Sequence, residues 1–248
     1  MNITNKTVLV TGGGSGIGLE IAKQLSKKGN KVIITGRTAD KLQKAASQLT
    51  NVSAIAADVN SDTDVDQLVD QITKEFGGLD ILINNAGYAW AYKLGEGVNA
   101  YDKAAEEMQT NYLSVIRLTE KLLPLLNASE EAAIVNVTSI VAFVPGINLP
   151  TYAASKAALH SYSQALRYTL AKTTNIKVFE LMPPLVNTEL SAAIGGANGI
   201  PPAEVAEGLV AGFENDEFEL HIGKTADIYK LFLHSPQEAL NVLNQGRE

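Results

Sequence analysis

The chain contains no cysteine, which excludes disulfides and thiolate metal sites alike. Histidine is nearly as scarce: His160, His221 and His234 show no ligand spacing, so no catalytic metal is expected. Positive charge is in short supply too, with 20 Lys and Arg against 27 Asp and Glu and a net charge of −7. No basic cluster stands out, so neither nucleic acid nor an anionic membrane surface is an expected partner. A membrane span needs about 18 uninterrupted apolar residues, and the richest window, Ala132 to Leu149, is broken by Asn136, Thr138, Ser139 and Pro145. The opening stretch, Met1 to Lys6, runs into a strand without the apolar core of a signal peptide, and a cytoplasmic location is expected. What is there is an ordinary globular composition, 46% hydrophobic and 19% charged over 248 residues. That length supports one large core, and a single domain over 1–248 is expected.

The stretch from Ile134 to Lys156 carries the sharpest chemistry. Ile134 to Thr138 is an apolar, β-branched run that reads as a buried strand, with Ser139 at its end. Thirteen residues further on, Tyr152 opens a helix expected to run to about Ala171, with Lys156 one turn along on the same face. A free tyrosine has a pKa of about 10, and a neighbouring ammonium favours the phenolate and draws that value down toward neutrality. Ser139 could then hold a substrate oxygen that Tyr152 protonates or deprotonates. The competing reading, two unrelated polar residues on a solvated helix face, loses ground because a serine stands at a strand end at this distance.

Taken in order, Thr7 to Val10 reads as a first buried strand running into Thr11-Gly12-Gly13-Gly14-Ser15-Gly16-Ile17-Gly18, and a helix with Ile17, Ile21, Ala22 and Leu25 at helical spacing follows. A glycine turn between strand and helix is an anion site, where backbone N–H groups and the helix dipole face a phosphate. Lys31 to Thr35 is the second strand. A free ribose 2′-hydroxyl usually meets an acidic residue about 20 residues past the glycine turn; here that slot holds Gly36, with Arg37 beside it, which suits a 2′-phosphate. Asp58, after a third strand over Val52 to Ala57, either accepts from an adenine amino group or belongs to the turn before the Ser61 helix cap. Leu79 to Ile83 is strand four, followed by Asn84-Asn85-Ala86-Gly87, a turn able to bond neighbouring strands.

Beyond it lie an aromatic loop with Tyr88, Trp90 and Tyr92, and one long helix over about 100 to 126 with Asn111 inside it. Asparagine is unfavourable there unless its side chain is used, and periodicity alone reads it as an exposed polar residue. A sixth strand over Lys177 to Leu181 leads through Pro183, Pro184 and Thr188 into a glycine-rich stretch, and the segment at about 185–200 is expected to be a mobile lid. A helix from Pro201-Pro202, a last strand over 218–222 and a terminal helix or pair broken near Pro236 complete the chain. Alternation of about seven strands with helices predicts an α/β, doubly wound (Rossmann) fold, parallel, with helices on both faces. The motifs at Gly12, Asn84, Ser139 and Pro183 all fall at carboxyl ends of strands, where such sheets bind ligands.

Together these residues resemble the short-chain dehydrogenase/reductase family in its short, single-domain branch, over nearly the whole chain. The stretch 181–190 and Ser235-Pro236-Gln237 are also similar to a bacterial subgroup associated with D-alanylation (lipoteichoic acid) operons. The resemblance implies a nicotinamide cofactor and hydride transfer between its ring and a carbonyl or alcohol carbon. It makes Tyr152 the general acid/base and Ser139 the group that orients the substrate oxygen. Lys156 would lower the tyrosine pKa and bind the nicotinamide ribose, and Asn111 would hold a water linking Lys156 to solvent, which reverses the reading of Asn111. The cofactor residues implied are Gly12, Ser15, Gly16, Ile17, Gly18, Arg37, Asp58, Val59, Asn85, Ala86, Gly87, Tyr152, Lys156, Pro183, Val186 and Thr188. NADP(H) is expected, with NAD(H) as the second choice. Pro184 stands where the family usually has glycine, which stiffens the backbone beside the nicotinamide but leaves Val186 its N–H. The substrate wall expected is Tyr88, Trp90, Val141, Phe143, Leu149, Leu185 and Leu190, with Lys93 nearby and no Arg or His to grip an anion, which favours an apolar or aromatic carbonyl compound. A homodimer or homotetramer is expected from the resemblance. The rival reading is a dinucleotide-sensing regulator without chemistry, and the presence of Ser139, Tyr152, Lys156 and Asn111 together counts against it.

Overall fold

The computed structural model describes residues 1–246. Its seven strands are β1 (Thr7–Thr11), β2 (Lys31–Gly36), β3 (Val52–Ala56), β4 (Ile81–Asn84), β5 (Ala133–Val137), β6 (Lys177–Met182) and β7 (Glu219–His221). They form one sheet in the order β3-β2-β1-β4-β5-β6-β7, every pair parallel. The strand order reverses between β1 and β4, the switch point at which an open α/β sheet leaves a crevice.

Alternate residues of each strand feed two cores, as a period of two requires. Val8 and Val10 of β1 face Ile21 and Leu25 of helix α1 (Gly16–Lys27) and Val205, Leu209 and Phe213 of helix α7 (Pro202–Asn215). Leu9, between them, faces Val65 and Leu68 of helix α3 (Asp62–Gln71) and Leu118 and Leu122 of helix α5 (Ser114–Asn127). Helices α2 (Ala39–Ala46), α4 (Ala100–Met108), α6 (Pro150–Thr173), α8 (Lys224–His234) and α9 (Pro236–Asn244) complete the set.

Three segments differ from the sequence reading. The long helix over 100–126 is interrupted by a π-helical turn, Gln109–Leu113, with Asn111 at its centre. The glycine-rich stretch, read as a loop, folds into two 3₁₀ turns, Glu189–Ile194 and Gly196–Asn198. Thr188 and Ser191 cap the first reciprocally, and Val186 pairs with Ile200 across its base. The helix bearing Tyr152 begins earlier than expected, at Pro150, whose fixed φ and missing N–H suit a first turn.

Candidate active site

A cleft of about 710 Å³ runs along the carboxyl edge of the sheet at the switch point. Its floor is the glycine turn. Gly16 has φ +54°, a left-handed conformation that side chains disfavour. A Cβ on Gly18 would lie 2.5 Å from both the Gly12 carbonyl oxygen and the Asn85 side-chain nitrogen, so only glycine lets α1 sit this close to β1. The turn is bonded to the next loop along the edge: the Asn85 amide donates to the Thr11 carbonyl at 2.8 Å, and the Asn85 and Ala86 N–H groups donate to the Thr11 hydroxyl at 3.0 and 2.9 Å.

Gly12, Ser15, Gly16, Ile17, Arg37, Asp58, Val59, Asn85, Ala86, Gly87, Tyr88, Tyr152, Lys156, Pro183, Thr188 and Leu190 all line this cleft. Gly18 lies beneath it, packed on Gly12 and Asn85. Asp58 both lines the cleft and serves its own turn, accepting from the Asn60 N–H at 2.9 Å. Val186 is buried behind the wall, and its carbonyl accepts from the Ser191 hydroxyl. Arg37 is exposed at the end of the cleft beyond Gly36. Lys41, in the first turn of α2, lines the same end and pairs with Glu189 at 2.6 Å; sequence reasoning missed it.

At the other end β5 and α6 bring the reactive groups together. Ser139 is buried where β5 ends and caps a short 3₁₀ turn by accepting from the Val141 N–H at 3.3 Å. Lys156 is 3% exposed, and its ammonium donates to the Val137 carbonyl at 2.8 Å. It lies 5.6 Å from the centre of the Tyr152 ring. Asn111 is fully buried, against the exposure that periodicity gives it. Its side chain accepts from the Tyr88 N–H at 2.8 Å and donates to the Tyr88 carbonyl at 2.8 Å and to Ser155 at 2.9 Å. Ser155 in turn donates to the Tyr152 carbonyl at 2.7 Å. The π turn is what swings Asn111 inward, and such turns gather at functional sites.

The electrostatics correct one expectation. Lys156 does not depress the tyrosine: burial pushes the Tyr152 phenol above its ordinary pKa, the charge of Glu107 adds to the rise, and the hydrogen bond to Ser139 opposes it. Burial also lowers Lys156 to about 8, with the Glu180 charge opposing. Desolvation disfavours both charged forms and is the largest cause of both shifts.

The expected substrate residues divide. Tyr88 and Leu190 line the cleft. Trp90 is exposed on its loop, stacked edge-on to Tyr88 at 5.5 Å. Its indole N–H donates to Glu106 at 2.9 Å, and its backbone N–H to the buried Glu107 at 2.7 Å. Val141 and Leu149 are buried, Val141 against Ile140 and Ala153 and Leu149 at the start of α6. Phe143 packs on Tyr229 and Phe232 of α8 at 5.0 and 5.9 Å, and Leu185 is half-buried, its carbonyl bonded to the Ile200 N–H. Glu107, Glu180 and His160 escaped the sequence reading, which has no means of telling a buried acid from a surface one.

A parallel sheet with a glycine-turn cleft and a Ser/Tyr/Lys/Asn constellation defines a dinucleotide-binding oxidoreductase. The short chain dehydrogenase family model matches residues 6–198, and the chain belongs to that family. A relative from Bacillus subtilis (strain 168), named uncharacterized oxidoreductase DltE, is 41% identical over 191 residues, spanning 77% of this chain and 75% of that protein. An uncharacterized oxidoreductase of Staphylococcus aureus (strain N315) is 34% identical over 213 residues, 84% of this chain and 90% of the relative. Among solved structures, a short chain dehydrogenase/reductase from Burkholderia phymatum in complex with NAD shares the fold with a TM-score of 0.88 at 20% identity, over 99% of this chain and 97% of that one. A short chain dehydrogenase from Burkholderia cenocepacia J2315 in complex with NADP gives 0.85 at 25% identity over 98% of each chain. No helix among the described residues is long and apolar enough to cross a membrane.

Proposed function

We propose that this protein is an NADP(H)-dependent carbonyl reductase acting on a small apolar or aromatic carbonyl compound, with Tyr152 as the general acid. The observation that carries the reading is the grouping of four side chains: Tyr152 and Lys156 on the wall of a glycine-floored cleft, Ser139 hydrogen-bonded to the Tyr152 phenol, and Asn111 buried behind them against Ser155 and Gly87. The cleft suits a dinucleotide: Gly14 and Gly16 keep side chains away from the α1 N-terminus, where a pyrophosphate would be held, and Arg37 and Lys41, which line the same cleft, supply the cations that a 2′-phosphate would need. When bound, the nicotinamide supplies the hydride.

The chain's own residues account for the rest. Ser139 orients the substrate oxygen toward the phenol. Tyr152, held neutral by its burial, then donates its proton as negative charge builds on that oxygen. Lys156, with a pKa of about 8, carries the positive charge that the resulting phenolate needs and can return a proton to it. Asn111 fixes Tyr88 and, through Ser155, the first turn of α6, so the aromatic loop and the acid keep one geometry. A panel of aldehydes and ketones followed by NADPH absorbance tests the reading. Turnover of at least one apolar or aromatic carbonyl is expected, and cofactor binding without turnover across a broad panel would favour the sensor.

A further inference from the structure

One buried acid has no part in the chemistry just described. Glu180 stands in β6, fully buried, in a strand whose neighbours Val178, Phe179, Leu181 and Met182 are apolar. Burying a carboxylate there costs more than burying a hydrophobic side chain of its size, so it demands partners. It has two. The Thr138 hydroxyl donates to one carboxylate oxygen at 2.7 Å, and Nδ1 of His160 lies 2.9 and 3.0 Å from the two oxygens.

Both partners border the reactive groups. Thr138 immediately precedes Ser139 and follows Val137, whose carbonyl holds the Lys156 ammonium. His160 is one helical turn beyond Lys156 on α6, on the same face. Glu180 therefore ties the end of β5 to the helix that carries Tyr152 and Lys156.

We propose that Glu180, pinned by Thr138 and His160, is a positioning residue that acts as counter-charge to Lys156 and keeps its ammonium protonated beside Tyr152. The electrostatics agree in sign: burial lowers the Lys156 pKa, and the Glu180 charge is what raises it back. His160 is raised above its ordinary value, first by the hydrogen bond to Glu180 and against desolvation, with Glu219 adding to the rise and Arg167 opposing it. The Glu180 charge thus acts on both Lys156 and His160, while Glu219 and Arg167 bear on the His160 side. The role of Lys156 in this inference rests on the proposed function, but the test below needs neither substrate nor cofactor and so fails or succeeds separately.

The experiment is an NMR titration of the Lys156 ammonium in protein carrying ¹³Cε-lysine, the resonance assigned by its loss in Lys156→Met. Glu180→Gln keeps the volume and an acceptor for Thr138 but removes the charge; the Lys156 midpoint should fall by about one pH unit. His160→Gln keeps both the carboxylate and a donor to it, so the midpoint should hold or rise. If Glu180→Gln leaves the midpoint unmoved, or if both variants lower it together, Glu180 is a packing residue only and the proposal is wrong. Should Glu180→Gln fail to fold, Lys156→Met supplies the reciprocal reading. With the ammonium gone, Glu180 serves His160 alone and the His160 midpoint should rise; an unmoved His160 overturns the proposal equally.

Discussion

At the scale of single residues, the cofactor end depends on Gly36, Arg37 and Lys41. A carboxylate at Gly36 would repel a 2′-phosphate and bond a free 2′-hydroxyl, and glycine does neither. A charge-assisted contact from Arg37 contributes about 1.5–3 kcal/mol when well formed. Because Arg37 is exposed, solvent screening puts the expected preference for NADPH near the low end, about tenfold. Gly36→Asp with Arg37→Ala should reverse that preference, read by titrating wild type and variant with both cofactors. An unchanged ratio would shift the role to Lys41 or remove it altogether. The pKa of Tyr152 belongs to this scale too, and it was not legible in the sequence. The i, i+4 spacing from Tyr152 to Lys156 says that the two meet, but only the fold says how dry the meeting place is.

At the scale of elements, the strand ends carry the site, and these were largely legible: alternation and β-branched runs located the strands, and each motif sits at the carboxyl end expected of it. The π turn at Gln109–Leu113 was not, because helical periodicity averages over one inserted residue. That Phe143 packs on Tyr229 and Phe232 was not legible, because these partners lie more than eighty residues along the chain. The junction of β1, α1 and the Asn84–Gly87 turn supplies a sharp prediction. In Gly18→Ala the new methyl meets the Gly12 carbonyl and the Asn85 amide at 2.5 Å, so the backbone must shift. Dinucleotide affinity should fall at least about tenfold, with a stability loss of about 1–3 kcal/mol. Calorimetric titration and denaturant melts would read both; unchanged affinity would separate the glycine turn from cofactor binding.

At the scale of the whole molecule, Leu113, Tyr101 and Tyr168 are exposed on the helical run from α4 to α6. We expect these helices to meet a second copy about a two-fold axis. Light scattering should then give a multiple of 26.4 kDa at micromolar concentration, and a particle of monomer mass would count against it. The central claim concerns what the assembled site does, and the variant Tyr152→Phe addresses it most directly. The ring still fills its place while the proton is gone. With the best carbonyl substrate, kcat should fall by about 10²–10⁴ while NADPH affinity stays within about twofold of wild type. A kcat near that of wild type would contradict the account and take Tyr152 out of the mechanism.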